Sequence, residues 1–313
     1  MSDMLTHWAS FDDCRRLCQI DDRVAPAFKQ TIDSGRMFAR FGTLSRGGSV
    51  WMAPLLKAAR DHWNDPKRDP KYDRNLAFVL GGLVHQACDR MMKPFLTKHS
   101  GADWSGMHAL MRGDMEMAKR EGATPEFVAR TQELSAYLDA EVYRQVYLGG
   151  AEDPFKVMFM NEVTPAERDF EDFIRTRFQR ALLAAHTLDP DSANMDAWLD
   201  NLFARVQPLY LDADLWVKAF RSPDPKKIEQ YEVRTGFYNA DDPTIRAARA
   251  LHAGRPLDAA LKREVYERGT FTCAYAEVLQ TGLQYLRSAS AYWRGETADF
   301  SAVNYVKARP SAA

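Results

Sequence analysis

Long apolar runs are missing from this chain: nowhere do eighteen hydrophobic residues follow one another, so no transmembrane helix is expected. The opening Met1-Ser-Asp-Met-Leu-Thr-His7-Trp8 lacks a basic segment followed by an apolar stretch, so no secretory leader is expected and the chain reads as cytoplasmic. Cysteine is scarce, with Cys14, Cys18, Cys88 and Cys273 alone, and without a leader free thiols are the expectation. Cys14 and Cys18 lie four apart on one helical face. No second cysteine pair completes a soft-metal site, so they read as two small buried side chains.

An excess of either charge is missing too. Lysine and arginine number 42 against 43 acids, a net charge of −1, which argues against a general nucleic-acid surface or a strongly anionic membrane as the main partner while leaving room for a local basic patch. There is no Gly-x-Gly-x-x-Gly, no P-loop and no nucleophile elbow. The pairs Asp12-Asp13, Asp21-Asp22 and Asp241-Asp242 lack the Asp-Asp-x-x-Asp spacing that holds magnesium and diphosphate, and read as helix caps and solvated faces.

What is present is helical periodicity. Apolar residues recur at three- and four-residue spacing almost throughout, while strand-like alternation is absent. Helices are expected over 10–19, 24–43, 50–64, 73–93, 125–148, 165–186 and 194–206. A last one carries the stripe Phe271, Tyr275, Val278, Gly282, Tyr285, Ala289 and Trp293. Breaks stand at Asp65-Pro66 to Asp69-Pro70, Gly149-Gly150 with Asp153-Pro154, Asp189-Pro190, Pro223-Asp224-Pro225 and Gly254 with Pro256. Thr164-Pro-Ala-Glu167 reads as a capping box opening a helix. With 46% hydrophobic residues, the chain reads as all-α, one multi-helix domain over 1–313, with 149–155 the place where it could subdivide.

The chemistry gathers on histidine. Five of the seven, His7, His62, His85, His99 and His108, fall in the first 108 residues, while His186 and His252 read as structural. His85 and Asp89 are four apart and share a helical face, so one divalent ion could take both; a plain His–Asp hydrogen bond in a core is the alternative. Gly81 and Gly82, a turn earlier, each cost about 1 kcal/mol in a helix relative to alanine. That cost implies that another backbone comes close there. Met91-Met92 and Met107 to Met117 read as core, with a lipid-accepting groove as the alternative.

The segment Ala77-Phe-Val-Leu-Gly-Gly-Leu-Val-His85-x-x-x-Asp89-x-x-x-x-Pro94 resembles the zinc-dependent phospholipase C family, akin to a group of zinc nucleases. Thr6-His7, then His62 before His85, and His108 after Asp89 follow the family's order, over roughly residues 5–110. The resemblance implies an all-helical fold with metal-site helices within 5–120. It implies His7, His62, His85, Asp89 and His108 as ligands of one or two zinc ions, with iron or manganese as other fillings. A reduced site is implied, because Ser45-Arg-Gly-Gly-Ser49, Phe95 and Arg112 stand where the family has further acids and a histidine. His99 could stand in for the histidine missing at Phe95. The activity implied is hydrolysis of a phosphate ester, whether phospholipid, nucleotide or small phosphoester. The alternative is a non-catalytic helical binding module that keeps the fold with at most a structural metal. Arg46 and Arg112 would bind substrate phosphate or fill a lost metal's place, and Asp61, Asp103 and Asp114 carry no assigned role.

Overall fold

The computed structural model describes residues 4–44, 49–101, 106, 115–150 and 213–298. Among them the chain is built of helices, with no strand. In chain order these include α1 (Met4–Gln19), α2 (Pro26–Ser34), α3 (Arg36–Leu44), α4 (Ser49–His62) and α5 (Lys71–Ser100). Then come α6 (Met115–Arg120), α7 (Pro125–Gln145), α8 (Ala213–Arg221), α9 (Pro225–Gln230), α10 (Pro243–His252), α11 (Ala259–Lys262) and α12 (Ala274–Trp293). The expected helices 165–186 and 194–206, and the capping box at Thr164, lie outside the described residues.

Three of the expected helices are redrawn. The one expected over 10–19 begins at Met4 and so carries His7. The helix expected over 24–43 is two helices, because the chain turns at Gly35, whose N–H closes on the Thr31 carbonyl at 2.8 Å. The helix expected to stop at 93 runs through Pro94 to Ser100. Phe95 and Leu96 continue its buried stripe, and that burial offsets the hydrogen bond that Pro94 cannot donate.

The described residues fall into two compact units, one within Met1–Thr6 and Lys93–Arg234, the other within His7–Met92 and Thr235–Ala313. The boundaries lie inside α1, next to Pro94 in α5, and at 234–235.

In the first unit α7 packs against α8. Thr124 caps α7 by accepting from the Phe127 N–H, and Arg144 near its end donates to the carbonyls of Ala219 and Phe220, closing the C-terminus of α8.

The second unit is organised by close backbone approach. A methyl group on Gly81 of α5 would lie 1.8 Å from the Ala39 carbonyl oxygen of α3, and one on Gly42 would lie 2.0 Å from that of Phe78. Gly81 therefore does what its cost implied, and Gly42 is its counterpart on α3: the two let α3 and α5 touch backbone to backbone. Gly282 plays a milder version of the part on α12, where a methyl would meet the Cys14 sulfur at 2.8 Å. The α12 stripe is buried at Tyr275, Val278, Gly282, Tyr285 and Ala289, as its periodicity requires.

The acidic pairs divide. Asp242 caps α10, accepting from the N–H groups of Thr244 and Ile245, as expected. Asp12 and Asp13 do not cap or face solvent. They are buried within α1, Asp12 against Arg36 and Arg40, Asp13 against Arg16 and the Tyr275 hydroxyl. Asp21 is likewise buried, held by Arg287 and Arg23. Sequence alone hid this because Arg36, Arg40, Tyr275 and Arg287 come from other helices.

Candidate functional site

The second unit brings His7, His85 and Asp89 together, one ligand atom from each lying within 4.8 Å of the others. His7 comes from the start of α1; His85 and Asp89 come from successive turns of α5. His7 Nε2 lies 3.3 Å from Asp89 Oδ1, and His85 Nε2 lies 3.4 Å from Asp89 Oδ2, so the carboxylate spans both rings. The imidazoles are stacked, with centroids 4.7 Å apart and 22° between their planes. Both histidines are buried, and although the Asp89 side chain keeps 22% of its surface exposed, its Oδ1 and the His7 Nε2 are themselves buried.

The α3–α5 crossing supplies the next layer. The Thr43 carbonyl of α3 lies 2.8 Å from His85 Nδ1. A carbonyl only accepts, so Nδ1 carries the hydrogen, and in the neutral ring the lone pair is on Nε2, facing Asp89. A lone pair pointed at a carboxylate oxygen is unfavourable unless positive charge stands between them. Two protons or one divalent cation would supply it.

The electrostatics reflect that demand. Burial by itself would lower the pKa of His7, but the adjoining Cys88 and the Asp89 carboxylate outweigh it and hold the ring well above the usual histidine value. Burial would raise Asp89, yet His85 and His7 hold its carboxyl well below the usual range.

The other expected ligands stand apart. His62 is exposed at the end of α4, its ring stacked on Tyr72 at 4.6 Å, and is not part of the cluster. Tyr72 and His85 are both on α5, thirteen residues apart, which is about 20 Å along a helix. The sequence order of histidines could not show that His62 closes a helix facing solvent. His99, in the first unit, lies against Phe95 with Nε2 3.8 Å from Glu232, and burial lowers its pKa. Arg46, Asp103, His108, Arg112 and Asp114 lie outside the described residues. Asp61 is exposed and pairs with Lys57.

The cysteines are free and buried, as expected. Burial raises the thiol of Cys14 and pushes that of Cys18 up to about 12, so neither supplies a thiolate. Sequence reasoning missed Thr43. The signal that could have found it was the glycine pair, which called for a second backbone.

No family model, no curated protein and no solved structure matches this chain.

Proposed function

We propose that the chain is a metal-dependent phosphoesterase with a reduced site, in which His7, His85 and Asp89 hold one zinc ion. The observation that carries the reading is the Thr43 carbonyl on His85 Nδ1, which leaves Nε2 aimed at Asp89. An outer hydrogen bond of this kind is what fixes the tautomer and orientation of a metal-binding histidine. One ligand atom from each of the three residues lies within 4.8 Å of the others, a spacing that two imidazoles and a carboxylate would tighten around one ion. Iron or manganese also suits two imidazoles and a carboxylate.

Three protein ligands would leave an ion room for a water or a substrate oxygen, as in catalytic rather than closed structural sites. When bound, the ion supplies a Lewis acid and acidifies water near neutral pH, the chemistry of phosphate-ester hydrolysis. The chain's own part is to hold the two rings, exclude water from the buried side and present the carboxylate. Kinship with the zinc-dependent phospholipase C family belongs to this proposal. It is supported by the helical fold, the His85-x-x-x-Asp89 pair on one helix and His7 arriving from the first helix. A phospholipid, nucleotide or small phosphoester is the substrate.

The stacking favours a second reading. The two imidazoles lie face to face, with 22° between planes that both flank the Asp89 carboxylate. A cluster held by protons in that arrangement would make the chain a non-catalytic binding module, with at most a structural metal.

Elemental analysis of the purified chain, paired with hydrolysis of bis-nitrophenyl phosphate, separates the two. The enzymatic reading expects about one equivalent of metal, with both metal and activity lost in His85→Ala and in Asp89→Ala. The loss should exceed the roughly 10–100-fold cost of removing an outer hydrogen-bond partner. A folded, metal-free and inactive wild-type chain would hand the case to the binding module.

A further inference from the structure

Away from the histidine cluster, the second unit has an open pocket of about 350 Å³ lined by Arg246, Arg249, Ala250, Arg255, Leu257 and Asp258. Its geometry is built by a helix ending. At the close of α10, Gly254 takes a left-handed conformation with φ +66°, its N–H bonds the Leu251 carbonyl, and the Arg255 N–H bonds that of Ala250 at 2.8 Å. This paired closure folds the chain back onto the last turn. The residue at the place of Arg255 in such a motif often packs an apolar side chain on the helix. Here it brings a third guanidinium to the face that already carries Arg246 and Arg249, which are three apart and therefore neighbours. Pro256 then stiffens the exit.

The charge of this pocket is uncompensated. Arg15, Arg16, Arg36, Arg40, Arg68 and Arg287 of the same unit each pair with a carboxylate. Among the described residues, Arg246, Arg249 and Arg255 have no acid within ion-pair distance. The single carboxylate in the wall, Asp258, is turned to capping α11, accepting from the Leu261 N–H at 2.7 Å. Three guanidiniums against one carboxylate leave two positive charges. The fold gains little from them. A cation in the last turn of a helix is favoured by the helix dipole, which accounts for Arg249, but the same dipole disfavours Arg246 in the first turn. Arg246 and Arg249 also repel each other across one turn.

We infer that this pocket binds a phosphate monoester, its dianion held by Arg246, Arg249 and Arg255. The surplus of two charges matches a dianion, and the planar fork of arginine matches phosphate oxygens in pairs. Leu257, Leu261 and Ala250 give the wall an apolar part beside the cations, where the carbon body of an ester rests. The inference does not rest on the metal reading of His7, His85 and Asp89.

Calorimetric titration of the full chain with phenyl phosphate tests it, in the presence of a chelator so that no metal at the histidine cluster can take the anion. The expected result is one saturable site, tighter for phenyl phosphate than for inorganic phosphate. Arg249→Ala and the double variant Arg246→Ala with Arg255→Ala should each weaken it at least tenfold. The three arginines are exposed, so circular dichroism should report an unchanged fold. A lipid source of the same chemistry is read by sedimentation with phosphatidylcholine vesicles carrying phosphatidic acid; binding there that needs Arg249 upholds the phosphate site and makes the ester a headgroup. Three outcomes overturn the inference: no saturable binding to either probe, succinate binding as tightly as phenyl phosphate, or binding that survives Arg249→Ala and disappears in His85→Ala.

Discussion

Asp12 and Asp89 are both acids of the second unit withdrawn from most solvent, and each is faced by two nitrogen-bearing side chains. Around Asp12 these are Arg36 Nε at 2.8 Å and Arg40 Nη2 at 2.5 Å. Around Asp89 they are the stacked imidazoles of His7 and His85 at 3.3 and 3.4 Å. Burial pushes both carboxyls towards the neutral form and the partners pull both well below the ordinary range. The partners differ in one respect. A guanidinium keeps its charge at every accessible pH, whereas an imidazole can surrender its proton and offer a lone pair. The countercharge at Asp12 is thus permanent and serves the packing of α1 against α3. The countercharge at Asp89 can be exchanged, and only there can a metal take a proton's place.

The largest effect should come from Asp12→Asn, which leaves Arg40, itself 3% exposed, without its buried counterion. Breaking one side of a buried pair costs about 3–5 kcal/mol, readable as a lower urea midpoint with unchanged slope. The same pair sets the acid response. The folded pKa of Asp12 is depressed, so its contribution is fully present above the unfolded value near ~3.9 and is lost as pH falls through the folded value. In Asp12→Asn that component of acid destabilisation should be gone. A variant as stable as the parent would erase the contrast between the two acids.

Gly81→Ala should come next. Its methyl cannot fit 1.8 Å from the Ala39 oxygen, so α3 must shift, at about 1–3 kcal/mol for overpacking. Since α3 carries the Thr43 carbonyl to His85, metal affinity should fall by about 10–100-fold as well. Zinc titration beside urea unfolding reads both, and a stability loss with unchanged zinc binding would detach the crossing from the site.

The smallest effect is expected from His62→Ala. An exposed residue away from the cluster should change stability by no more than about 0.5 kcal/mol and leave metal content at its wild-type level. Loss of metal in this variant would return His62 to the site and enlarge the exchangeable half of the comparison.

The parts of this architecture legible in sequence are those governed by neighbours along the chain. Periodicity and breakers located α4, α7 and α12 closely, and the four-residue spacing of His85 and Asp89 placed them on one face of α5. Of the residues expected from the order of histidines, His7 is the one that lies beside His85 and Asp89. What sequence could not carry is direction and partnership across helices. His62 has the same relation to His85 in order whether α4 points its end inward or outward, and the ring turns out to rest on Tyr72 at the surface. Asp12 looks like any acid in a polar pair until α3 supplies two arginines. Pro94 looked like a stop because its local penalty is visible, while the burial of Leu96 that offsets it is not.

The contact of Gly42 with Phe78 and of Gly81 with Ala39 has one further consequence, for how this protein can change over time. Most packed pairs drift by exchange, one side growing while the other shrinks. Glycine has no side chain to give up, so enlargement at either position meets a partner backbone that cannot recede. The crossing therefore has no compensated route to a wider spacing: any path away from it passes through a displaced α3. The lineage of such a protein is free to rework its surface, but it inherits the distance between these two helices as a fixed dimension.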